Sequence, residues 1–173
     1  PTFLYPRFDD RRMERLDSRV RFIWFSRAVV GSVFAGGLGG VAAAFVDRIP
    51  VSPFVAGGLV FAVVLALSAV HVVLRYRAWR FEVREDTLYI ERGVLVNVRT
   101  VVPYVRVQHV DARRGPIERA LGLSSVVVYT AGSRGADVSI PGLVAGRADD
   151  VQETLRRLAI ESEPETGDAG DAV

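Results

Sequence analysis

Residues 28 to 46 read AVVGSVFAGGLGGVAAAFV, nineteen positions without a charged side chain. An uncharged run of 18 or more residues is long enough to cross the hydrocarbon core of a bilayer as a helix. Residues 49 to 74, IPVSPFVAGGLVFAVVLALSAVHVVL, form a second such run of twenty-six positions directly afterwards. The competing account, two buried core helices, fails on size. The roughly 100 remaining residues are too few to enclose two apolar segments of this length. A secretory signal would not be followed at once by another apolar run. A two-helix transmembrane hairpin is therefore expected over residues 28–74, with spans at 28–46 and about 53–74.

Charge on either side of the hairpin sets its expected orientation. Residues 1–27 hold seven arginines against four acids, a basic N-terminal segment that includes Arg11, Arg12, Arg15, Arg19, Arg21 and Arg27. Arg75, Arg77 and Arg80 follow the second run, whereas the connection between the runs offers only Arg48 beside Asp47. Arginines concentrate on the cytoplasmic side of spans. Both termini are thus expected in the cytoplasm, in a multi-pass protein of the cytoplasmic membrane. Trp24 with Phe22 and Phe25, and Tyr76 with Trp79, would form an aromatic belt at the inner interface. Ser32, Gly36 and Gly40 on the first helix, and Ala62 and Ala66 on the second, are small residues four apart, a spacing that lets helix backbones approach closely in lipid. They are candidate helix-packing positions, inside the hairpin or against another membrane protein or a second copy. His71 is the ionisable residue within the uncharged runs, one turn from Arg75, and reads as snorkelling or hydrogen-bonded.

Beyond Trp79 the period of the sequence changes. RFEVRED (80–86) and TLYIERG (87–93) alternate apolar and polar residues, as half-buried strands do, around an expected turn at Glu85-Asp86. VLVNVRTVVPY adds β-branched residues, with Pro103 expected at a strand end. RVQHVDARR alternates again, placing Val107, His109 and Asp111 on one face and Gln108, Val110 and Ala112 on the other. Gly115-Pro116 then breaks the strand, with one helical turn from Pro116 stopped by Gly122. SSVVVYTAG and ADVSIPGL read as further strands. RADDVQETLRRLAI (147–160) aligns Val151, Leu155 and Leu158 on one helical face, with Asp149 and Asp150 expected in the first turn and Arg156 and Arg157 near the end. Residues 75–160 are expected to form a small mainly-β domain closed by a C-terminal helix. Residues 161–173, with five acids and no base, are expected to be a disordered acidic tail.

The motifs VPYVRVQHVD, GPIERALGL and VVVYTAG, with the hairpin before them, resemble the bacterial pleckstrin-homology-like, membrane-flanked domain proteins. The resemblance spans about residues 75–160. It implies a bent barrel of about seven strands capped by a C-terminal helix, and it does not imply an enzyme.

The polar stretch RVQHVDARRGPIERALGL (106–123) holds the residues that could carry chemistry. His109 and Asp111, alternate residues of one strand, would stand about 7 Å apart, too far for the direct hydrogen bond of a catalytic triad with Ser124 or Ser125. The chain has two histidines and no cysteine, so no metal site, disulfide or thiol chemistry is expected. No cofactor is implied and no catalytic residue is assigned. Arg106, Arg113, Arg114 and Arg119 are interrupted by Asp111 and Glu118 and lack interleaved aromatics, which argues against nucleic acid. The stretch reads as a structural turn, with Ile117 and Leu121 buried and Glu118 or Asp111 paired to an arginine. The sequence thus points to a non-enzymatic, membrane-anchored module for protein–protein interaction, using a groove beside the C-terminal helix by analogy with peptide-binding domains of this type. The alternative is an anionic-lipid surface sensor using Arg113, Arg114 and Arg134, although the acidic Glu85-Asp86 turn has the wrong sign for phosphate. The sequence names no small-molecule ligand.

Overall fold

The computed structural model describes residues 13–45, 51–131 and 137–162. Arg11, Arg12, Asp47, Arg48, Arg134 and the acidic tail beyond residue 162 lie outside the described residues. The chain divides into two compact units, one comprising 16–79 with 92–98 and the other 80–91 and 99–162 with residues 13–15.

The first unit is built on a pair of long apolar helices, α1 (Val20–Ala44) and α2 (Pro53–Ala78). Both are long and apolar enough to cross a membrane. α1 begins at Val20 rather than at 28, so Trp24 and Arg27 are helical. α2 starts with proline at its first position, where the missing N–H is no loss. The hydroxyl of Ser52 caps it by accepting from the Val55 N–H at 3.4 Å. Glycine allows the two helices to come together. A Cβ on Gly36 would lie 2.8 Å from Cβ of Phe61 and 2.9 Å from the Gly57 carbonyl oxygen, and one on Gly57 would lie 2.8 Å from the Gly36 oxygen. Gly40 likewise abuts the Pro53 carbonyl, and Ser32 is fully buried, its hydroxyl donating to the Ala28 carbonyl. Ala62 and Ala66, the row of the same spacing on α2, are exposed, which places them outside the contact within the hairpin and agrees with the other expected role, packing against another membrane protein or a second copy. The spacing was right for a row of small residues, but helix phase turns it away from α1 and puts Gly57 and Phe61 at the contact.

The rest of the described chain contains two three-stranded sheets, in which β1–β2, β4–β5 and β5–β6 pair antiparallel. β1 (Arg80–Val83), β2 (Thr87–Arg92) and β3 (Val98–Pro103) form the first in the order β1-β2-β3. β4 (Val107–Arg113), β5 (Leu123–Thr130) and β6 (Val138–Val144) form the second in the order β4-β5-β6. The short helix α3 (Pro116–Ala120) connects β4 to β5, and α4 (Ala145–Glu161) ends the described chain. The described residues thus hold six strands, not about seven. An isolated antiparallel bridge between Glu14 and Phe81 adds one residue pair at the edge of β1 without making a strand. Expectation and structure agree on a small β domain with a C-terminal helix.

The core of the second unit comes from alternate strand positions and one stripe of α4. Phe81, Leu88, Ile90, Leu123, Val126, Val128, Ile140 and Leu155 are each 0% exposed. Ala148, Val151 and Leu155 are the buried face of α4, and its first residue is Ala145. The earlier start moves Asp149 and Asp150 out of the first turn, which contains no acid. Pairing rather than dipole placement accounts for Asp149, as described below. Gly93, at φ 120°, closes the β2–β3 loop, where a Cβ would fall 1.9 Å from the Val96 oxygen.

Tyr104 links the two halves of the strand order. Its side chain is 1% exposed and its hydroxyl donates to the Arg84 carbonyl at 2.7 Å. Burial pushes the pKa of this hydroxyl up to about 12 from 10.0. A folded pKa raised above the unfolded one contributes stability fully present below about pH 10 and lost as pH rises through about 12. The Tyr104→Phe variant should be about 1 kcal/mol less stable at neutral pH, the worth of one hydrogen bond. It should also lose that share of the alkaline decline when denaturant unfolding is followed from about pH 9 to 11.5. An equally steep decline in the variant would assign the alkaline loss to other groups.

Candidate functional site

The stretch 106–123 folds chiefly as β4, α3 and the start of β5, and several of its polar groups are hydrogen-bonded within the turn, to β5 or to α4. Glu118 accepts the Gly115 N–H at 2.7 Å through Oε2 and the Ser125 hydroxyl at 2.7 Å through Oε1. One carboxylate therefore closes the first turn of α3 and ties it to β5, the role of the acidic member of a capping box. The Ser124 hydroxyl donates to the Arg113 carbonyl at 3.2 Å. Gly122, at φ 68°, ends the turn as glycine does most easily. His109 stacks on Tyr129, ring centroids 4.1 Å apart. Both serine hydroxyls are thus spent on structural acceptors.

Two details refine the expected turn. Ile117 is 44% exposed and Leu121, just past the end of α3, only half-buried, where both were expected inside. Of the two acids expected to pair with an arginine, Asp111 does so, whereas Glu118 pairs with a hydroxyl and a backbone N–H. Arg113 reaches Asp111 at 3.5 Å and the Tyr129 hydroxyl, and Arg114 reaches both Asp149 oxygens at 3.1 and 3.2 Å. The second pair fastens the end of β4 to α4 through an exposed contact, worth at most about 1 kcal/mol.

Beside this turn lies a cleft of about 410 Å³ between β4 and α4. Val107, Val110, Ala159 and Ile160 supply apolar wall, and Gln108, His109, Gln152 and Arg156 supply polar rim. β4 is an edge strand, paired only with β5 in its sheet. Its register slips between Val107 and His109, which leaves Gln108 as an extra residue. Such a bulge bends an edge strand and re-aims its side chains, and it ends the strict alternation expected over 107–113. Next to the bulge, the Gln152 side-chain amide donates to the Val110 carbonyl at 2.8 Å. A side chain of α4 thus occupies the hydrogen-bonding edge of β4 at one point. Ile160, at the mouth, is 62% exposed. Sequence periodicity located α4 and β4 separately. Periodicity could not find the cleft, since neither the bulge nor the pairing of Gln152 leaves a periodic trace, and a groove beside the C-terminal helix was expected only by analogy with peptide-binding domains.

An order of strands followed by a C-terminal helix packed on the second sheet, with a two-helix apolar segment ahead, matches a known family. Its model, described as the bacterial PH domain, covers residues 30–159. The chain belongs to the bacterial PH domain family. Among relatives of this bacterial PH domain protein is the transmembrane protein YdbS of Bacillus subtilis (strain 168), 38% identical over 111 residues, which are 62% of this chain and 68% of the relative. No solved structure matches the chain. With the two apolar helices, the family and this relative make the chain a membrane protein.

Proposed function

We propose that the protein is a non-enzymatic, membrane-anchored interaction module in the cytoplasmic membrane. The hairpin holds the PH domain at the cytoplasmic face, with both termini inside, and the domain binds an extended segment of another membrane protein, or of a second copy, in the cleft between β4 and α4. The observation that carries this reading is the cleft itself, an edge strand with a bulge at Gln108, an apolar wall and exposed Ile160. Peptides add to sheet edges through main-chain hydrogen bonds, and the side-chain pockets give specificity. Arg156 at the rim favours an acidic residue in that segment. The arginine content around residues 15–27 and 75–80 supports the orientation.

The lipid-sensor alternative has less support. Arg113 and Arg114 are engaged by Asp111, Tyr129 and Asp149, and the Arg134 position lies outside the described residues.

The test is extraction of the tagged full-length protein in mild detergent, with the mass and components of the particle determined. A particle containing a second membrane protein or a second copy is expected, and Ile160→Asp should release it while leaving the domain folded. A protein that runs as a monomer under all mild conditions, or a particle indifferent to Ile160→Asp, would count against the cleft.

A further inference from the structure

A second cleft, of about 560 Å³, opens between α1 and α2 at the end of the hairpin where α1 begins and α2 ends. Arg27 from α1 and Arg75 from α2 line it, with Trp24, Ser68 and His71 and the apolar Ala28, Leu67 and Val72. No acidic residue is in this lining. Among the described residues no carboxylate pairs with Arg27 or Arg75. The charges acting on Arg75 are those of Arg27 and Arg92, both positive. The Arg75 guanidinium lies over the Trp24 indole, 4.3 Å from the ring centroid. Stacking uses the face of the guanidinium and leaves its in-plane N–H groups available to an acceptor.

Two cations sharing a partly apolar cleft repel one another unless an anion lies between them, and the repulsion grows as water is excluded. An oxyanion with two unshared oxygens suits paired guanidinium forks. The helices carrying the cleft are of membrane-spanning length, and three apolar side chains share its walls, so a ligand with both an anionic head and an apolar body fits better than a free ion. Basic pockets between transmembrane helices at headgroup level take anionic lipid heads.

We propose that this cleft binds the phosphodiester headgroup of an anionic phospholipid. Arg27 and Arg75 hold the phosphate oxygens, Ser68 and His71 lie beside the polar part of the head, and Leu67 and Val72 meet the first methylenes. The site is separate from the β4–α4 cleft and stands whether or not that cleft binds a peptide.

The test is native mass spectrometry of the full-length protein released from phosphatidylcholine vesicles containing a minor fraction of phosphatidylglycerol. One retained phosphatidylglycerol per chain is expected, in excess over its share of the vesicle. Arg27→Gln, which removes a side chain without an ion-pair partner, should lower that retention about fivefold, the effect of about 1 kcal/mol per interfacial arginine. Arg77→Gln, on the same stretch of α2 but outside the cleft, should leave it unchanged. Retention in proportion to vesicle composition, or an equal loss in both variants, would sink the site and leave only general surface attraction. Displacement of the lipid by millimolar inorganic phosphate would overturn the lipid assignment in favour of a free-anion site. Persistence in its presence supports the lipid.

Discussion

Gly57→Val is expected to separate the two membrane helices and to cost about 3 kcal/mol or more of hairpin stability, the upper range for overpacking a close contact. At Gly57 even the first atom of a side chain would lie 2.8 Å from the Gly36 carbonyl oxygen and 3.2 Å from the Gly40 Cα. Both are backbone atoms, so no rotamer change relieves the clash and the helices must part. Lipid chains are as apolar as the helices, so close packing rather than hydrophobic burial holds such pairs together. Gly58 supplies the control. A Cβ there meets nothing within 4 Å, and Gly58→Ala should be neutral or slightly stabilising through helix propensity. Thermal unfolding of both variants in one detergent, followed by tryptophan fluorescence, makes the comparison. Equal midpoints for the two would refute the close approach at Gly57.

Leu155→Ala should destabilise the PH domain by about 3 kcal/mol, in the middle of the range for truncating a buried leucine. Leu155 is 0% exposed and lies on the stripe with Ala148 and Val151 by which α4 closes the domain. Its loss leaves a cavity under the helix that also carries Gln152 and Ile160, so binding in the β4–α4 cleft should weaken together with stability. Ile160→Ala, at a 62% exposed position, should change stability by less than about 0.5 kcal/mol. Denaturant unfolding of the full-length protein in detergent separates the two. Similar midpoints would show that α4 is not held by its Leu155 face.

The sequence was most legible where one period or one length dominates. The two uncharged runs are long enough that burial within a small chain is not an option, and they alone make a membrane hairpin the expected solution. Alternation over 80–92 and the stripe Val151–Leu155 locate β1, β2 and α4 for the same reason, since each has one buried face. The motif resemblance extended this to the family. The strand count came out at six because the Glu14–Phe81 bridge is a single pair of residues.

What the sequence left open was phase and partnership. Ser32, Gly36 and Gly40 lie on the packed side of α1, but Ala62 and Ala66, with the same spacing, lie exposed. Spacing defines a row on a helix and leaves open which way the row faces. Trp24 and Trp79, expected as interfacial aromatics, are 7% and 4% exposed. Arg113 and Arg114 stand out in the sequence as a charge cluster, yet in the fold Asp111, Tyr129 and Asp149 take them up. Arg27 and Arg75, forty-eight positions apart in the sequence, converge on one cleft without an acid beside them.

By itself, the sequence determined that this protein has two helices suited to lipid, a small β domain after them and a helix to close it. These follow from local periodicity and from the cost of leaving apolar surface or unpaired backbone in the wrong solvent. Only the tertiary structure decided which glycine touches which backbone, which arginines are paired, and where the two clefts open. Those depend on a one-residue bulge, on the rotation of each helix about its axis and on contacts across long stretches of chain, none of which has a period to read.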